Sequence, residues 1–202
     1  MKNTHYYSKE VTVKSDRSEV KFDFKGNWFT FVTDSGVFSK KSVDFGSRVM
    51  IENFIPRESS APILDMGCGY GPIGTILGKT YNKKFYMVDI NERAVELATL
   101  NVNKNSVDAI VSQSDCFSEV PKIKFSQIIT NPPIRAGKKV YYEIYKNSIK
   151  YLENNGELWV VIQKKQGAET SKDELESIFG NCTVIAKKKG YFILKSVFIP
   201  LD

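Results

Sequence analysis

The chain has 202 residues, 42% hydrophobic and 26% charged, a make-up that fits a folded domain with one substantial core. No apolar run approaches the roughly 20 residues of a membrane span, and the first eight residues lack an apolar signal core, so a cytoplasmic protein without membrane attachment is expected. The net charge of +6 favours a polyanionic partner, while three scattered cysteines and one histidine, His5, argue against a metal site, a disulfide framework or a histidine base.

The first sixty residues read as a β extension. Residues 11–13, 19–24 and 28–33 alternate apolar and polar, and Lys25-Gly26-Asn27 separates the last two runs. A loop over 34–39 follows, then a helix over 46–54 and a polar linker over 56–62. From residue 61 the pattern changes, which divides the chain into an N-terminal extension (1–60) and a core (61–202).

In the core, strand-like and helix-like runs alternate. Residues 63–66 form a short buried strand that ends in a glycine-rich turn. Pro72 suits the first position of a helix reaching residue 81, because its missing N–H costs nothing there. A strand over 84–90 is followed by a helix over 92–103, which Asn91 caps and which places Ala94, Leu97, Ala98 and Val102 on one face. Strands over 109–114 and 125–130, a tyrosine-rich helix over 139–152 and a strand over 157–163 after an Asn155-Gly156 turn come next. A helix over 171–179 precedes two runs, 182–187 and 191–199, that read as an antiparallel hairpin. The alternation implies an α/β fold with a doubly wound, mostly parallel sheet that binds ligands at the carboxyl ends of its strands.

Two motifs fall at that edge. Asp65-Met66-Gly67-Cys68-Gly69-Tyr70-Gly71-Pro72-Ile73-Gly74 follows the first core strand and opens a helix. Its glycines permit a sharp turn and close approach of a ligand. Residues 69–74 fit the dinucleotide pattern G-x-G-x-x-G, and Asp89 lies about 20 residues on, where such folds place a ribose acid. A nicotinamide or flavin enzyme is therefore one reading, and a bare glycine turn another. Asp65 favours S-adenosylmethionine, because a carboxylate suits an α-ammonium and repels a pyrophosphate. The second motif, Asn131-Pro132-Pro133-Ile134, ends the strand over 125–130. Proline fixes φ and removes the N–H donor, so one amide and free carbonyls stand where a flat amino group could be gripped. A simple strand-ending turn also produces a Pro-Pro pair. Ser114-Asp115 adds a carboxylate that could accept from an adenine amine.

Together Asp65-x-Gly67-x-Gly69-x-Gly71, Asp89, Ser114-Asp115 and Asn131-Pro132-Pro133-Ile134 resemble the sites of class I S-adenosylmethionine-dependent methyltransferases. Residues 5–8, 34–41, 43–48 and 130–138 narrow the resemblance to single-domain, RsmC-type small-subunit ribosomal RNA guanine-N2 methyltransferases. Larger members of that family carry two copies of the domain, and this chain holds one. The resemblance implies a seven-stranded Rossmann-like sheet, S-adenosylmethionine as cofactor, and ribosomal RNA or the small ribosomal subunit as partner. Cofactor contacts would then come from Asp65, Gly67, Cys68, Gly69, Gly71, Asp89, Ile90, Asp115, Cys116 and Asn131. Asn131, Pro132 and Pro133 would form the catalytic grip, with Phe38, Ile134, Arg135 and Lys138 on the substrate side. Ile134 stands where amino-methylating relatives often carry an aromatic residue. Phe38 and 44–47 would close over the cofactor or the base, although packing of Phe38 and Phe45 onto the sheet explains those two side chains as well. The competing functions are adenine-N6 or protein-glutamine methylation, a NAD- or FAD-binding oxidoreductase, and a non-catalytic RNA-binding module.

Overall fold

A computed structural model of the chain describes residues 13–200. His5, the 5–8 segment and residues 11 and 12 of the first strand-like run lie outside the described residues, and Val13 belongs to no strand. The extension supplies a two-stranded antiparallel sheet, β1 (Ser18–Phe24) and β2 (Asn27–Thr33). Lys25 and Gly26, with φ of 50° and 75°, form the two-residue turn whose twist matches a hairpin. Asn27 therefore opens β2 instead of belonging to the turn. Helix α1 (Phe45–Asn53) starts one residue earlier than its apolar period predicts. The Asp44 carboxylate accepts the Ser47 N–H at 3.2 Å and caps it.

The core elements follow in the expected order: β3 (Ile63–Met66), α2 (Pro72–Tyr81), β4 (Phe85–Asp89), α3 (Glu92–Lys104), β5 (Ala109–Gln113) and β6 (Phe125–Thr130). Then come α4 (Lys138–Tyr151), β7 (Leu152–Gln163), α5 (Ala168–Phe179), β8 (Thr183–Lys188) and β9 (Tyr191–Val197). The Asn155-Gly156 turn is absorbed into β7 as a bulge. Asn155 has φ 61°, and pairing jumps from Phe125–Leu152 to Gln127–Glu157. Helix α5 begins three residues before its predicted start, after Gly167 at φ 99°, with Glu169 in the first turn where the helix dipole favours an acid.

The sheet runs in the order β5-β4-β3-β6-β7-β9-β8, parallel except for β9, which pairs antiparallel with both neighbours. This is the seven-stranded, doubly wound sheet with a C-terminal hairpin that the sequence implied. Alternate residues of the central strands enter two cores. Ile63, Ile129, Trp159 and Ile193 face α1, α2, α3 and the β1–β2 hairpin, while Leu64, Ile128, Leu158 and Leu194 face α4 and α5. The strand order reverses between β3 and β6, which opens a crevice at their carboxyl ends. Thr130 ties the ends of the two strands together by donating a buried hydrogen bond to the Met66 carbonyl at 2.9 Å.

The hairpin is fastened to α3 by two side-chain amides one helical turn apart. Asn101 accepts from the Val32 N–H at 2.7 Å and donates to the Val32 and Tyr70 carbonyls at 2.9 and 2.8 Å. Asn105 makes the matching pair with Thr30 at 3.2 and 3.0 Å. These amides satisfy the edge of β2 as a further strand would.

Candidate active site

The carboxyl ends of β3, β4, β5 and β6 surround a cavity of about 320 Å³, within the size range of a small-molecule site. The glycine loop is its floor. Gly67 and Cys68 both donate their N–H groups to the Val88 carbonyl at 2.8 and 2.9 Å, which ties the loop to the end of β4. Gly67 and Gly69 have φ of 73° and 58°, and a Cβ at either would meet nothing within 4 Å. Their exposed backbone leaves room for a ligand. Gly74 differs: a Cβ there would lie 2.7 Å from Met87 Sδ, so this glycine serves the close packing of α2 on β4.

Three carboxylates stand near the loop, each held differently. Asp65, at the penultimate position of β3, is buried and accepts the Gly74 N–H at 2.9 Å. Gly71 has no side chain with which to cap α2, so Asp65 satisfies that free N–H from the strand. Burial pushes its carboxyl from an ordinary 3.8 to about 7, against the Gly74 bond and with a further push from Asp89. Asp89 ends β4 and accepts from the Gly69 and Asn91 N–H groups at 2.8 and 2.9 Å. Burial raises it too, and those N–H groups oppose the rise. Asp115 is exposed on a turn after β5. That turn is braced by buried Ser114, whose hydroxyl donates to the Cys116 carbonyl at 2.7 Å and accepts from the Glu119 N–H at 3.0 Å.

On the opposite wall, β6 delivers Asn131. Its amide nitrogen donates to Asp44 Oδ2 and to Ser47 Oγ, both at 3.1 Å. Because a carboxylate only accepts, the nitrogen must face Asp44. Among the described residues nothing donates to the amide oxygen. The Pro132 carbonyl accepts the Ile134 N–H at 2.8 Å across an inverse γ-turn at Pro133 (φ −74°, ψ 75°). One of its two lone pairs is thereby used and one remains.

The sequence matches the methyltransferase small domain family over residues 28–195. The chain belongs to that family. Family and fold together make it an S-adenosylmethionine-dependent methyltransferase, which sets aside the nicotinamide or flavin reading. It is 49% identical over 195 residues to the uncharacterized protein YbxB of Bacillus subtilis, covering 95% of this chain and 97% of that protein. Its fold is similar to that of the T. thermophilus 16S rRNA N2 G1207 methyltransferase (RsmC) in complex with AdoMet and guanosine, with a TM-score of 0.81 at 22% identity. That match covers 90% of this chain and spans half of the longer protein. A methyltransferase from Pyrococcus furiosus aligns with a TM-score of 0.67 and 17% identity, over 76% of this chain and 81% of that one.

The cavity residues suit the family's cofactor. Open glycines, the half-buried Asp89 carboxylate and the exposed Asp115 offer partners for an amine and hydroxyls, and Val140 and Ile144 of α4 supply an apolar wall. Of the residues picked from sequence, Phe38, Gly67, Cys68, Gly69, Asp89, Ile90, Asp115, Cys116, Asn131, Pro132 and Pro133 line this one cavity. Asp65 and Gly71 lie beneath the loop and shape it, while Ile134, Arg135 and Lys138 lie outside the lining. Phe38 is exposed at the rim, whereas Phe45 packs against Tyr191 with ring centroids 5.5 Å apart. Val140 and Ile144 went unread as site residues. Their i, i+4 apolar spacing marks a buried helix face but does not say that this face overhangs the sheet edge. Burial raises the thiols of Cys68 and Cys116, the latter to about 11, so both stay protonated at neutral pH and are poor nucleophiles.

The rim loop is anchored at its base. Buried Asp34 accepts from the Ser15 hydroxyl at 2.6 Å and the Ser35 N–H at 2.6 Å, Arg93 donates to the Ser35 carbonyl, and Asn91 donates to the Gly36 carbonyl. Among the described residues no group of three or more His, Cys, Asp or Glu side chains is placed to hold a metal ion, and no helix is long and apolar enough to cross a membrane.

Proposed function

We propose that this protein methylates the exocyclic N2 amine of a guanine in small-subunit ribosomal RNA. The observation that carries the reading is the Asn131 amide, fixed through its nitrogen with its oxygen left for a ligand beside the Pro132 carbonyl. The lone pair of a guanine amine is delocalised into the ring, which makes it a weak nucleophile. Two acceptors on its two N–H groups hold the amine so that this lone pair, which stands perpendicular to the ring plane, faces the sulfonium methyl, and they stabilise the positive charge that grows on nitrogen during transfer. No strong base is needed, since the proton can leave to water afterwards.

When bound, S-adenosylmethionine supplies an electrophilic sulfonium methyl. In this reading Asp89 takes the ribose hydroxyls, Asp115 and the Cys116 N–H take adenine, and Gly67, Cys68, Gly69 and Ile90 form the bed. Asp65 and Gly71 shape that bed from below. In the N-terminal extension, Phe38, Ser39, Asp44 and Ser47 build one side of the cavity onto the core that begins at residue 61.

RNA as the partner is supported by the cations that follow the carboxyl ends of two neighbouring strands. Arg135, Lys138 and Lys139 follow β6, and Lys164 and Lys165 follow the neighbouring β7. All five are exposed, and none takes part in the ion pairs found among the described residues. Such cations suit phosphates. The lysine turn 187–189 contributes less, because Lys188 pairs with Glu52 at 2.7 Å while Lys187 and Lys189 sit over the Phe192 and Phe45 rings. The guanine assignment draws on the RsmC neighbour. A cytoplasmic location follows from a ribosomal substrate.

The test is transfer of labelled methyl groups to small ribosomal subunits, and to their naked RNA, from cells lacking the gene. Digestion should yield N2-methylguanosine. Asn131→Ala should lower single-turnover transfer roughly a hundredfold or more while S-adenosylhomocysteine affinity stays within about threefold. Label in N6-methyladenine or in a release-factor glutamine, or in no acceptor at all, would overturn the assignment.

A further inference from the structure

Asn131 does not stand alone. Both hydrogens of its amide nitrogen go to the first turn of α1, one to Asp44 Oδ2 and one to Ser47 Oγ, each at 3.1 Å. The same Asp44 oxygen accepts the Ser47 N–H at 3.2 Å, so helix cap and amide share one carboxylate. Gly46 permits the arrangement: a Cβ there would lie 2.8 Å from the Tyr191 ring and 3.0 Å from Asp44 Oδ2. The carboxylate cannot donate, so an amide turned by 180° would set oxygen against oxygen.

We infer that Asp44, seconded by Ser47, is a positioning residue that sets both the direction and the acceptor strength of the Asn131 carbonyl oxygen. This rests on the reading of Asn131 as the amine grip. A charge-assisted bond to the amide nitrogen draws the amide toward its dipolar resonance form and places more negative charge on oxygen. That oxygen then stabilises growing positive charge on the target nitrogen better than an unbraced amide does. An Asp at a helix N-cap normally stabilises the helix; here the same group aims a side chain across the cavity from another element.

The experiment compares Asp44→Asn, Asp44→Ala, Ser47→Ala and Asn131→Ala, alone and with Asp44→Ala and Asn131→Ala combined. Single-turnover rates are taken at saturating cofactor, beside S-adenosylhomocysteine affinity and melting temperature. Asp44→Ala should slow transfer by roughly tenfold to a hundredfold, the scale of one hydrogen bond to a charged group, with cofactor affinity held within about threefold. Asp44→Asn keeps the shape and loses the charge, so its rate should fall between the two. In the Asn131→Ala background the loss of Asp44 should add almost nothing. Multiplicative losses would overturn the brace, and so would weakened cofactor binding with a normal rate at saturation, which would make Asp44 a cofactor ligand. NMR exchange of the Asn131 side-chain amide separates the two ideas. Protection in the wild type and its loss in Asp44→Ala uphold the brace even where Asn131→Ala transfers methyl normally, a result that would sink only the grip.

Discussion

A carboxyl that loses its charge on folding makes stability depend on pH. Asp65 is such a group, raised by burial from 3.8 to about 7. Between those values the folded chain holds more protons than the unfolded one, so stability is full below pH 3.8 and falls as pH rises toward 7. The slope from this one residue is at most roughly 1.4 kcal/mol per pH unit. Thermal unfolding of ligand-free Asp65→Asn should therefore depend less on pH from 4 to 7 than that of the wild type, and parallel curves would contradict the burial argument. This residue also shows where single-residue reading from sequence ends. The glycine spacing and the strand-end position of Asp65 are visible in the sequence. That its carboxylate caps α2 in place of the side chain Gly71 lacks is not, because a helix cap is normally sought just before the helix and not on a preceding strand. The Asn131-Pro132-Pro133 corner was legible because proline constrains backbone locally, while its brace, 84 to 87 residues upstream, has no local signature.

At the scale of elements, period and turn chemistry carried most of the reading. Every core strand and helix was legible, since buried parallel strands and one-sided helices differ in period. The disagreements lie at ends: α1 starts at Phe45 because Asp44 caps it, α5 starts at Ala168, and the 155–156 turn becomes a bulge in β7. How the N-terminal hairpin docks was not legible. Asn101 and Asn105 look like ordinary polar helix positions, and nothing in their spacing says that they complete the edge of β2. Asn101→Ala should leave the Val32 N–H and carbonyl and the Tyr70 carbonyl without partners, at a cost of roughly 1–3 kcal/mol per buried group left unpaired. The denaturant midpoint should fall, and exchange of the Val32 amide should speed up more than that of core amides in β3. Equal acceleration everywhere would mean that the hairpin opens only with global unfolding.

At the scale of the whole molecule, composition counts charges without placing them. Lys40, Lys104, Lys172, Lys188 and Lys195 each meet a carboxylate; the five cations that follow β6 and β7 do not, and they differ from other unpaired lysines in sharing the carboxyl edge of two neighbouring strands. A net charge of +6 suggests a polyanion but not which face would meet it; under the proposed function the strand order, which sets the ends of β6 and β7 side by side, names the face to test. Reversing two charges with Lys164→Glu and Lys165→Glu should weaken RNA binding by tenfold or more at about 0.1 M salt and flatten the dependence of log K on log salt by roughly two ions. The same reversal at Lys122 and Lys124, near the opposite edge of the sheet, should do much less. Equal losses from both pairs would mean diffuse attraction without a preferred face.

The contact between Gly74 and Met87 has a historical consequence. A methyl group at 74 would lie 2.7 Å from Met87 Sδ and 3.0 Å from its Cε, so alanine enters there only when the methionine side chain swings aside or the residue at 87 becomes shorter. The flexible thioether keeps the first route cheap, whereas a β-branched side chain at 87 has no such freedom. Descendants of a common ancestor should therefore pair alanine at 74 with methionine or a smaller residue at 87, and an isoleucine beside it would mean that α2 rides farther from the sheet in that branch.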